Sequence, residues 1–318
     1  MQKVTSTPAL LLLAVLSLCL TPSAGRAQTT TVIRVGAAPI EVSAQIFYAQ
    51  ELGFFAKAGI DLEYQPNQNA AATEAAVLSN AIDVGGSNVV ALAIAHDRNF
   101  PLVAVAPGNL NSAAARTGAL IVAANSPIQT AKALSGQVVA VGGLGTMSEY
   151  GVRAWIDANG GDSSTVKFVE LPFPAMPDAI AAGRVAAANV SEPFLTAARK
   201  NGARVLAYPL EAVGKSYINS VWIATAQWVK GHPGLAARFA AAIADATAWA
   251  NQPQNDAASA AILVKYTKID PSVVATMGRA RFADRLTASL LQPSIDVAAK
   301  YGKLNSFPAQ EVIYTALP

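Results

Sequence analysis

The chain has 318 residues, a net charge of +3 at neutral pH, 53% hydrophobic residues and only 14% charged residues. Its basic residues are scattered, which argues against nucleic acid as a partner. The length favours two lobes over one. The only cysteine is Cys19. If the chain is cleaved after this position, the product has no disulfide, no thiolate nucleophile and no Cys-based zinc site.

The N-terminus has the pattern of a secretory signal peptide. Lys3 supplies a positive charge, an apolar run covers residues 9–20, and small residues flank Arg26. The run is shorter than the roughly 20 residues that span a bilayer. We therefore predict a signal peptide over residues 1–27, cleavage near Ala27 and release of the mature protein into the periplasm. A retained N-terminal anchor is the alternative.

Strands and helices alternate in the next part of the chain, joined by short turns rich in Gly, Pro and Asn. Such alternation is typical of parallel α/β architecture. The predicted elements are, in order, a strand over 31–37, a helix over 42–55, a strand over 60–64, a helix over 70–78, a strand over 82–85, a helix over 87–96 and a strand over 102–106.

The same pattern then restarts. The segments 80–83 and 183–186 are similar, and each leads to a turn and a helix. Two similar α/β halves predict two lobes that face each other across a cleft. The predicted elements of the second half are strands over 119–124, 137–141, 166–170, 185–188 and 204–207, and helices over 146–159, 176–182 and 191–200.

After an apparent return strand over 217–224 the pattern is wholly helical. Helices without strands do not make a third α/β lobe, so we expect them to pack on the first lobe. The predicted organisation is a discontinuous lobe 1 over 31–117 plus 222–318 and a lobe 2 over 118–221. The chain would cross between lobes near 119–124 and 220–224, and two crossings make a hinge.

A glycine-rich turn over 143–148 joins a predicted strand to a predicted helix. The N–H groups of Gly145, Thr146 and Met147 begin the helix, where the macrodipole favours negative charge by roughly 0.3–1 kcal/mol. Thr146 and Ser148 add hydroxyl groups. The turn therefore suits one carboxylate, sulfonate or similar head group without any catalysis.

Two other interpretations of this turn remain open. A dinucleotide fingerprint requires a third glycine where Ser148 stands, and an acidic residue after the next strand, where Glu170 stands. An exported NAD-binding oxidoreductase is therefore the alternative function. The second interpretation is a structural turn that binds no ligand.

Other motifs for chemistry are weak. His96 and His232 are the only histidines and are far apart in the sequence, and the G-x-S-x-G and H-E-x-x-H patterns do not occur. We therefore expect a protein that is not an enzyme and that uses no cofactor and no metal.

The segment Tyr48 to Glu63, YAQELGFFAKAGIDLE, resembles the opening signature of substrate-binding proteins of nitrate/sulfonate/taurine-type (NitT/TauT) ABC importers. Thiamine-pyrimidine-binding proteins share the fold of this family. The similarity covers most of residues 32–225. It continues in the segments 80–85, 132–141, 143–148, 179–185 and 192–194.

The resemblance implies the type II periplasmic-binding-protein fold, in which two α/β lobes close on a small ligand. It also implies the partners, which are a membrane permease and the ATPase that drives it. We expect a monomer whose ligand is a small organic anion, such as a sulfonate, a carboxylate or a related nitrogen or sulfur compound.

The resemblance further implies which loops touch the ligand, and these are the loops at the carboxyl ends of the strands, where open parallel sheets bind ligands. We expect an apolar or aromatic wall of the pocket, formed by Tyr217, Phe173 and Phe194. The predicted ligand-binding residues are Pro39, Ile40, Glu41, Ser87, Asn88, Asn109, Gly145, Thr146, Met147, Ser148, Glu192 and Tyr217.

Two departures limit what the resemblance implies. Ala186 stands where the family usually has an aspartate, and Asn80 where it has a glycine; we interpret both as structural positions. Arg116 is the only arginine near an expected pocket loop, and the pocket positions do not reproduce a pattern specific to nitrate or to an alkylsulfonate. Glu41 or Glu192 would repel an anion if it faced the cleft, and a zwitterion such as an amino-sulfonate is then the alternative ligand.

Overall fold

A computed structural model describes residues 1–3 and 30–314 of the chain. The apolar run and the cleavage site of the predicted signal peptide lie outside these residues. In the part of the chain that the structure describes, no helix has the length and apolar character needed to cross a membrane.

Strands in the described residues form two five-stranded sheets and one two-stranded ribbon. Most sheet strands are apolar runs, as expected for strands covered by helices on both faces. The strands are β1 (Thr31–Ala37), β2 (Ile60–Pro66), β3 (Val84–Asn88), β4 (Leu102–Pro107), β5 (Leu110–Ser112), β6 (Gly118–Val122), β7 (Val138–Val141), β8 (Lys167–Glu170), β9 (Ala187–Ser191), β10 (Arg204–Ala207), β11 (Ser216–Ile218) and β12 (Ser220–Thr225).

The helices begin at sites that local sequence explains. Asn69, Asn88 and Thr146 are N-caps whose side chains accept a hydrogen bond from the first turn. The helix predicted over 42–55 is broken at Gly53, which has φ 73°. The helices are α1 (Gln45–Glu51), α2 (Phe54–Lys57), α3 (Ala70–Leu78), α4 (Val89–Asp97), α5 (Met147–Ala158), α6 (Met176–Ala181), α7 (Phe194–Lys200), α8 (Ala226–Gly231), α9 (Pro233–Ala250), α10 (Asp256–Thr267), α11 (Pro271–Val274) and α12 (Ala288–Gly302).

The two five-stranded sheets have the same topology. The first has the order β2-β1-β3-β12-β4, and the second has the order β8-β7-β9-β6-β10. In each sheet one strand, β12 or β6, runs antiparallel to both neighbours. We call the first sheet with its helices lobe 1 and the second lobe 2. The repeated order agrees with the two similar halves predicted from the sequence.

The connections between the sheets differ from the predicted crossings. The segments 119–124 and 220–224 mostly form β6 and β12, which lie inside the sheets. The chain instead passes between the lobes just before each strand, over 108–117 and 208–219. There β5 and β11 pair as an antiparallel ribbon. The sequence does not distinguish β6 and β12 from crossings. Their apolar residues indicate burial, but they do not indicate whether the buried segment lies inside a sheet or between two sheets.

The C-terminal helices pack on both lobes, whereas the sequence predicted packing on lobe 1. Helix α9 packs on α1 in lobe 1, where Phe239 lies in the core. Helix α12 contributes Leu291 and Ile295 to a second core cluster, which also contains Met147 and Tyr150 of α5 in lobe 2. Helix α12 therefore joins the two lobes on the side of the crossing segments.

Candidate ligand-binding site

A cavity of about 130 Å³ lies between the two sheets. Lobe 1 supplies Ser87 and Asn88, at the end of β3, and lobe 2 supplies Ser191, at the end of β9. The crossing segments supply Thr117 and Asn219. The cavity is therefore at the carboxyl ends of strands from both lobes, and its size suits a small molecule.

The wall of the cavity is polar but uncharged. Among the described residues that form it, none is Asp, Glu, Lys, Arg or His. Hydroxyl and amide side chains supply its polar groups, while Ile40, Phe173 and Leu210 supply an apolar part. The polar groups that the described residues present in this wall are therefore neutral hydrogen-bonding groups.

Half of the predicted ligand-binding residues line this cavity, and they come from three separate segments of the sequence. Of the proposed aromatic wall, Phe173 lines it, but Phe194 and Tyr217 do not. The predicted residues that line the cavity are Ile40, Ser87, Asn88, Thr146, Met147 and Ser148.

The other predicted residues lie behind or beside the cavity rather than in its wall. Glu41 is 1% exposed and forms an ion pair with Arg279, with 2.9 Å between Nε and Oε1. The same Oε1 accepts a hydrogen bond from the Ala280 N–H at 2.9 Å. Burial raises the pKa of Glu41, against the opposing attraction of Arg279. Pro39, beside Ile40, is also absent from the wall.

Glu192 has a structural role too. It is 2% exposed and accepts hydrogen bonds from the Thr196 N–H and hydroxyl, both at 2.9 Å, and from the Gly278 N–H at 3.2 Å. It therefore caps α7 and holds the C-terminal region against lobe 2. Neither Glu41 nor Glu192 is part of the cavity wall, so neither places a charge there.

Asn109 and Tyr217 belong to the crossing segments. The Asn109 N–H donates to Ser220 Oγ at 2.8 Å, and its carbonyl accepts from the Asn219 N–H at 3.0 Å. Tyr217 is fully buried, and its hydroxyl donates to the Leu210 carbonyl at 2.8 Å. Both residues shape the connection between the lobes instead of touching the cavity.

The glycine turn does not present the open N–H groups that the sequence suggested. The Gly145 N–H donates to Glu149 Oε2 at 2.8 Å, as in a capping box shifted by one residue. The Met147 N–H donates to Asn88 Oδ1, across the cleft, at 3.4 Å. Arg153 balances the Glu149 charge at 2.7 Å. Protein oxygens thus already occupy two of the three N–H groups expected to hold an anion.

The dinucleotide interpretation of the turn also loses its acidic partner. Glu170 Oε2 accepts from the Leu144 N–H at 3.2 Å, and Oε1 accepts from Asn69 Nδ2 at 2.6 Å. Its carboxylate therefore lies against the turn itself, where a pyrophosphate would be repelled. This geometry argues against a nucleotide at residues 143–148.

Ser148 is the clearest hydrogen-bond donor in the wall. Its Oγ accepts from the Gly142 N–H at 2.9 Å and from Asn189 Nδ2 at 3.2 Å. With both lone pairs used, the hydroxyl proton remains for an acceptor in the cavity. Asn88 adds a second donor group, since its Oδ1 accepts from Ala91 N and Met147 N while its NH₂ group has no hydrogen bond to the described residues.

Sequence reasoning missed several polar wall residues. Asn189 stands between the apolar residues Ala188 and Val190 of β9, and this was a usable signal, because a buried amide needs partners. Asn69 was identifiable as a helix N-cap but not as a cleft residue. The missed polar wall residues are Ser43, Gln68, Asn69, Thr117, Asn189, Asn219 and Ser220.

Contacts between the lobes surround the cavity. Asn69 on lobe 1 donates to Glu170 on lobe 2 at 2.6 Å. Further from the cavity, Lys200 Nζ of α7 donates to the Ser272 carbonyl at 2.7 Å. With the Asn88–Met147 hydrogen bond, these contacts join the two lobes on either side of the cavity.

The chain belongs to the NMT1/THI5-like family, whose sequence model matches residues 41–257. No curated protein sequence matches the chain. Similar solved structures include the periplasmic aliphatic sulphonate binding protein SsuA from Escherichia coli, with 19% identity, a TM-score of 0.70 and coverage of 89% of this chain and 92% of that one.

Two further structures have the same fold. The periplasmic nitrate-binding protein NrtA from Synechocystis PCC 6803 has 18% identity and a TM-score of 0.65, with 77% and 69% of the two chains covered. The desulfurization enzyme DSZB has 16% identity and a TM-score of 0.65, with 89% and 96% covered. These similarities confirm the predicted α/β periplasmic-binding-protein fold and the resemblance to nitrate and sulfonate binding proteins.

Proposed function

We propose that the chain is the solute-binding component of an ABC importer. The supporting observation is the cavity lined by both lobes, with the described chain passing between them only at 108–117 and 208–219. The lobes open and close about these segments, capture a small organic ligand and deliver it to a membrane permease driven by an ATPase.

The proposal includes the organisation and location of the protein. Residues 1–27 are a signal peptide, the first sheet with its helices (31–107 and 220–314) forms lobe 1, the second sheet with its helices (118–207) forms lobe 2, and the mature protein is a periplasmic monomer. The N-terminal sequence pattern and the periplasmic proteins of similar fold support this assignment.

The ligand in this proposal is an organic anion or a zwitterion. Its acceptor group, a carboxylate or sulfonate, binds the Ser148 hydroxyl and the Asn88 NH₂ group. The apolar part of the ligand packs against Phe173 and Ile40. Neutral donors suffice for an anion because hydrogen bonds to a charged group contribute about 1.5–3 kcal/mol each.

Binding without catalysis is the better proposal, although an enzyme has the same fold. No histidine or acidic side chain is among the described residues in the cavity wall. General acid–base catalysis needs such a group within hydrogen-bond reach of the substrate. The protein is therefore expected to release its ligand chemically unchanged.

A ligand screen on the mature protein, unfolded and refolded to remove any bound ligand, tests the proposal. The panel contains sulfonates, nitrate, carboxylates, amino-sulfonates, pyrimidines and NAD. A ligand at about 100 times its Kd stabilises by roughly 2.7 kcal/mol, which raises Tm by several degrees. If only NAD raised Tm, or if no ligand of the panel did, the result would count against a solute-binding protein.

Replacement of Ser148 locates the ligand. Ser148→Ala removes the free donor and should weaken binding of the identified anion about tenfold to a hundredfold, measured by calorimetry. Ser79→Ala is the matched control, because Ser79 is exposed at the end of α3, away from the cavity wall. Equal affinities of the two variants would place the ligand elsewhere.

A further inference from the structure

A hydrogen bond behind the cavity wall connects Ser87 to a carboxyl group. Glu74 lies on α3, and Ser87 Oγ donates to Glu74 Oε1 over 2.7 Å. Ser87 is only 5% exposed and lines the cavity, whereas Glu74 does not. A hydroxyl group has one proton and two lone pairs. While that proton is donated to an ionised Glu74, Ser87 can offer a ligand only a lone pair.

The surroundings of Glu74 place its titration near neutrality. Burial raises the pKa of Glu74 to about 7, against smaller opposing effects of the Ser87 hydrogen bond and of Arg98, which follows α4. On the neighbouring strand β1, Arg34 is paired with Asp83 at 2.7 Å. The hydrogen-bonded pair of Glu74 and Ser87 thus gains or loses one proton near neutral pH.

We infer that Glu74 acts through Ser87 to set whether this part of the cavity wall accepts a hydrogen bond from the ligand or donates one to it. When Glu74 is ionised, Ser87 accepts from an N–H or O–H of the ligand. When Glu74 is protonated, its own O–H donates to Ser87 Oγ, and the Ser87 hydroxyl donates to a ligand oxygen. Glu74 is a positioning residue, and the inference rests on the proposed function.

The opposite wall does not change in this way. Ser148 accepts from Gly142 N and Asn189 Nδ2, and neither donor titrates, so Ser148 donates to the ligand at every pH. The cavity therefore has two donors that do not titrate, the Ser148 hydroxyl and the Asn88 NH₂ group, and one group, the Ser87 hydroxyl, that donates or accepts according to the charge of Glu74. Ligands with only acceptor groups should bind best at low pH, whereas ligands with an added N–H group should keep their affinity at high pH.

Two probes that differ in one group test the inference. Ethanesulfonate has only acceptors, and 2-aminoethanesulfonate carries the same sulfonate with a donating ammonium group. The measured quantity is the ratio of their Kd values, by calorimetry, from about two pH units below to about one above the pKa of Glu74, a range in which the ammonium group keeps its proton. For the wild type, the ratio of the ethanesulfonate Kd to the aminoethanesulfonate Kd should rise by up to about tenfold per pH unit above that pKa.

Matched variants identify the group responsible. Glu74→Gln should make the ratio independent of pH, and Ser87→Ala should do the same. Glu63→Gln, which changes an exposed carboxylate on β2, should keep the wild-type dependence. A pH-dependent ratio in Glu74→Gln, or a constant ratio in the wild type, would overturn the inference while leaving solute binding intact.

A second measurement does not depend on the probes. The carboxyl carbon of Glu74, assigned in NMR spectra by its absence from Glu74→Gln, should titrate near neutrality. In Ser87→Ala the pKa of Glu74 should rise further, because the lost hydrogen bond favours the ionised form. Titration in the ordinary carboxyl range would overturn the inference. A protein that binds no small ligand at any pH would instead overturn the proposed function, and the inference with it.

Discussion

Glu41 shows how much a buried carboxylate depends on one partner. Arg279 donates to it from Nε at 2.9 Å, and to the Tyr48 hydroxyl from Nη2 at 2.9 Å. Arg279→Met should lower the free energy of unfolding by about 3–5 kcal/mol at neutral pH, because Glu41 is left as an uncompensated buried charge. Arg281→Met is the control, because the Arg281–Asp256 pair is partly exposed and 3.4 Å long, so its loss should cost at most about 1 kcal/mol.

The pH dependence of the Arg279→Met variant follows from the same carboxyl group. Without Arg279, the pKa of Glu41 in the folded protein rises further above its ordinary range. The folded state then binds a proton that the unfolded state has lost, so stability falls as pH rises and recovers as pH falls. Denaturant unfolding at several pH values measures this. A variant as unstable in mild acid as at neutral pH would show that Glu41 is not the cause.

Individual site residues were only partly predictable from the sequence. The positions of Ser87, Asn88 and Ser148 follow from the rule that strand ends bind ligands, and these residues do line the cavity. The direction of a side chain does not follow from that rule. Glu41 sits beside Ile40 in the sequence, yet it turns away to a partner 238 positions later, Arg279. A contact of such long range has no signal in a single sequence.

At the scale of the element, the start of α5 combines helix capping with the site. Thr146 Oγ1 accepts from the Ser148 N–H at 3.2 Å and donates to the Gly143 carbonyl at 2.7 Å. Thr146→Ala should lower the free energy of unfolding by about 1 kcal/mol, the usual loss of an N-cap. Thr146→Ser keeps the hydroxyl and should be nearly as stable as the wild type in urea unfolding. If both variants lost the same stability, the methyl group rather than the cap would matter.

Most elements were predictable because period and turn chemistry agree with the tertiary structure. The strands β1, β2 and β4 and the helices α3 and α5 lie where their apolar patterns place them. The failures are also instructive. The segment 217–224 contains two strands, β11 and β12, which belong to different sheets. A continuous apolar run shows burial, but it does not show which sheet the strand joins.

At the scale of the whole molecule, the lobes should be able to separate and close, although α12 contacts both. The apolar cluster that α12 shares with Tyr150 and Leu92 lies on the side of the crossing segments. Polar contacts such as Asn69–Glu170, at 2.6 Å, lie instead at the cavity. Exposed polar contacts contribute little, about 0–1 kcal/mol. Movement should therefore break the contacts around the cavity and keep the cluster at α12.

This difference between the two sides leads to a test of closure. The only cysteine of the chain is Cys19, so a mature chain that begins at Gln28 has none, and cysteines placed at 69 and 170 can be joined selectively by a short bifunctional maleimide. Joining them in the ligand-free protein should block uptake of ligand, and joining them after ligand is bound should block its release. Each single-cysteine variant, treated in the same way, is the control. Normal uptake and release in the joined protein would show that ligand exchange needs no separation of the lobes at this position, and the hinge mechanism would then be wrong.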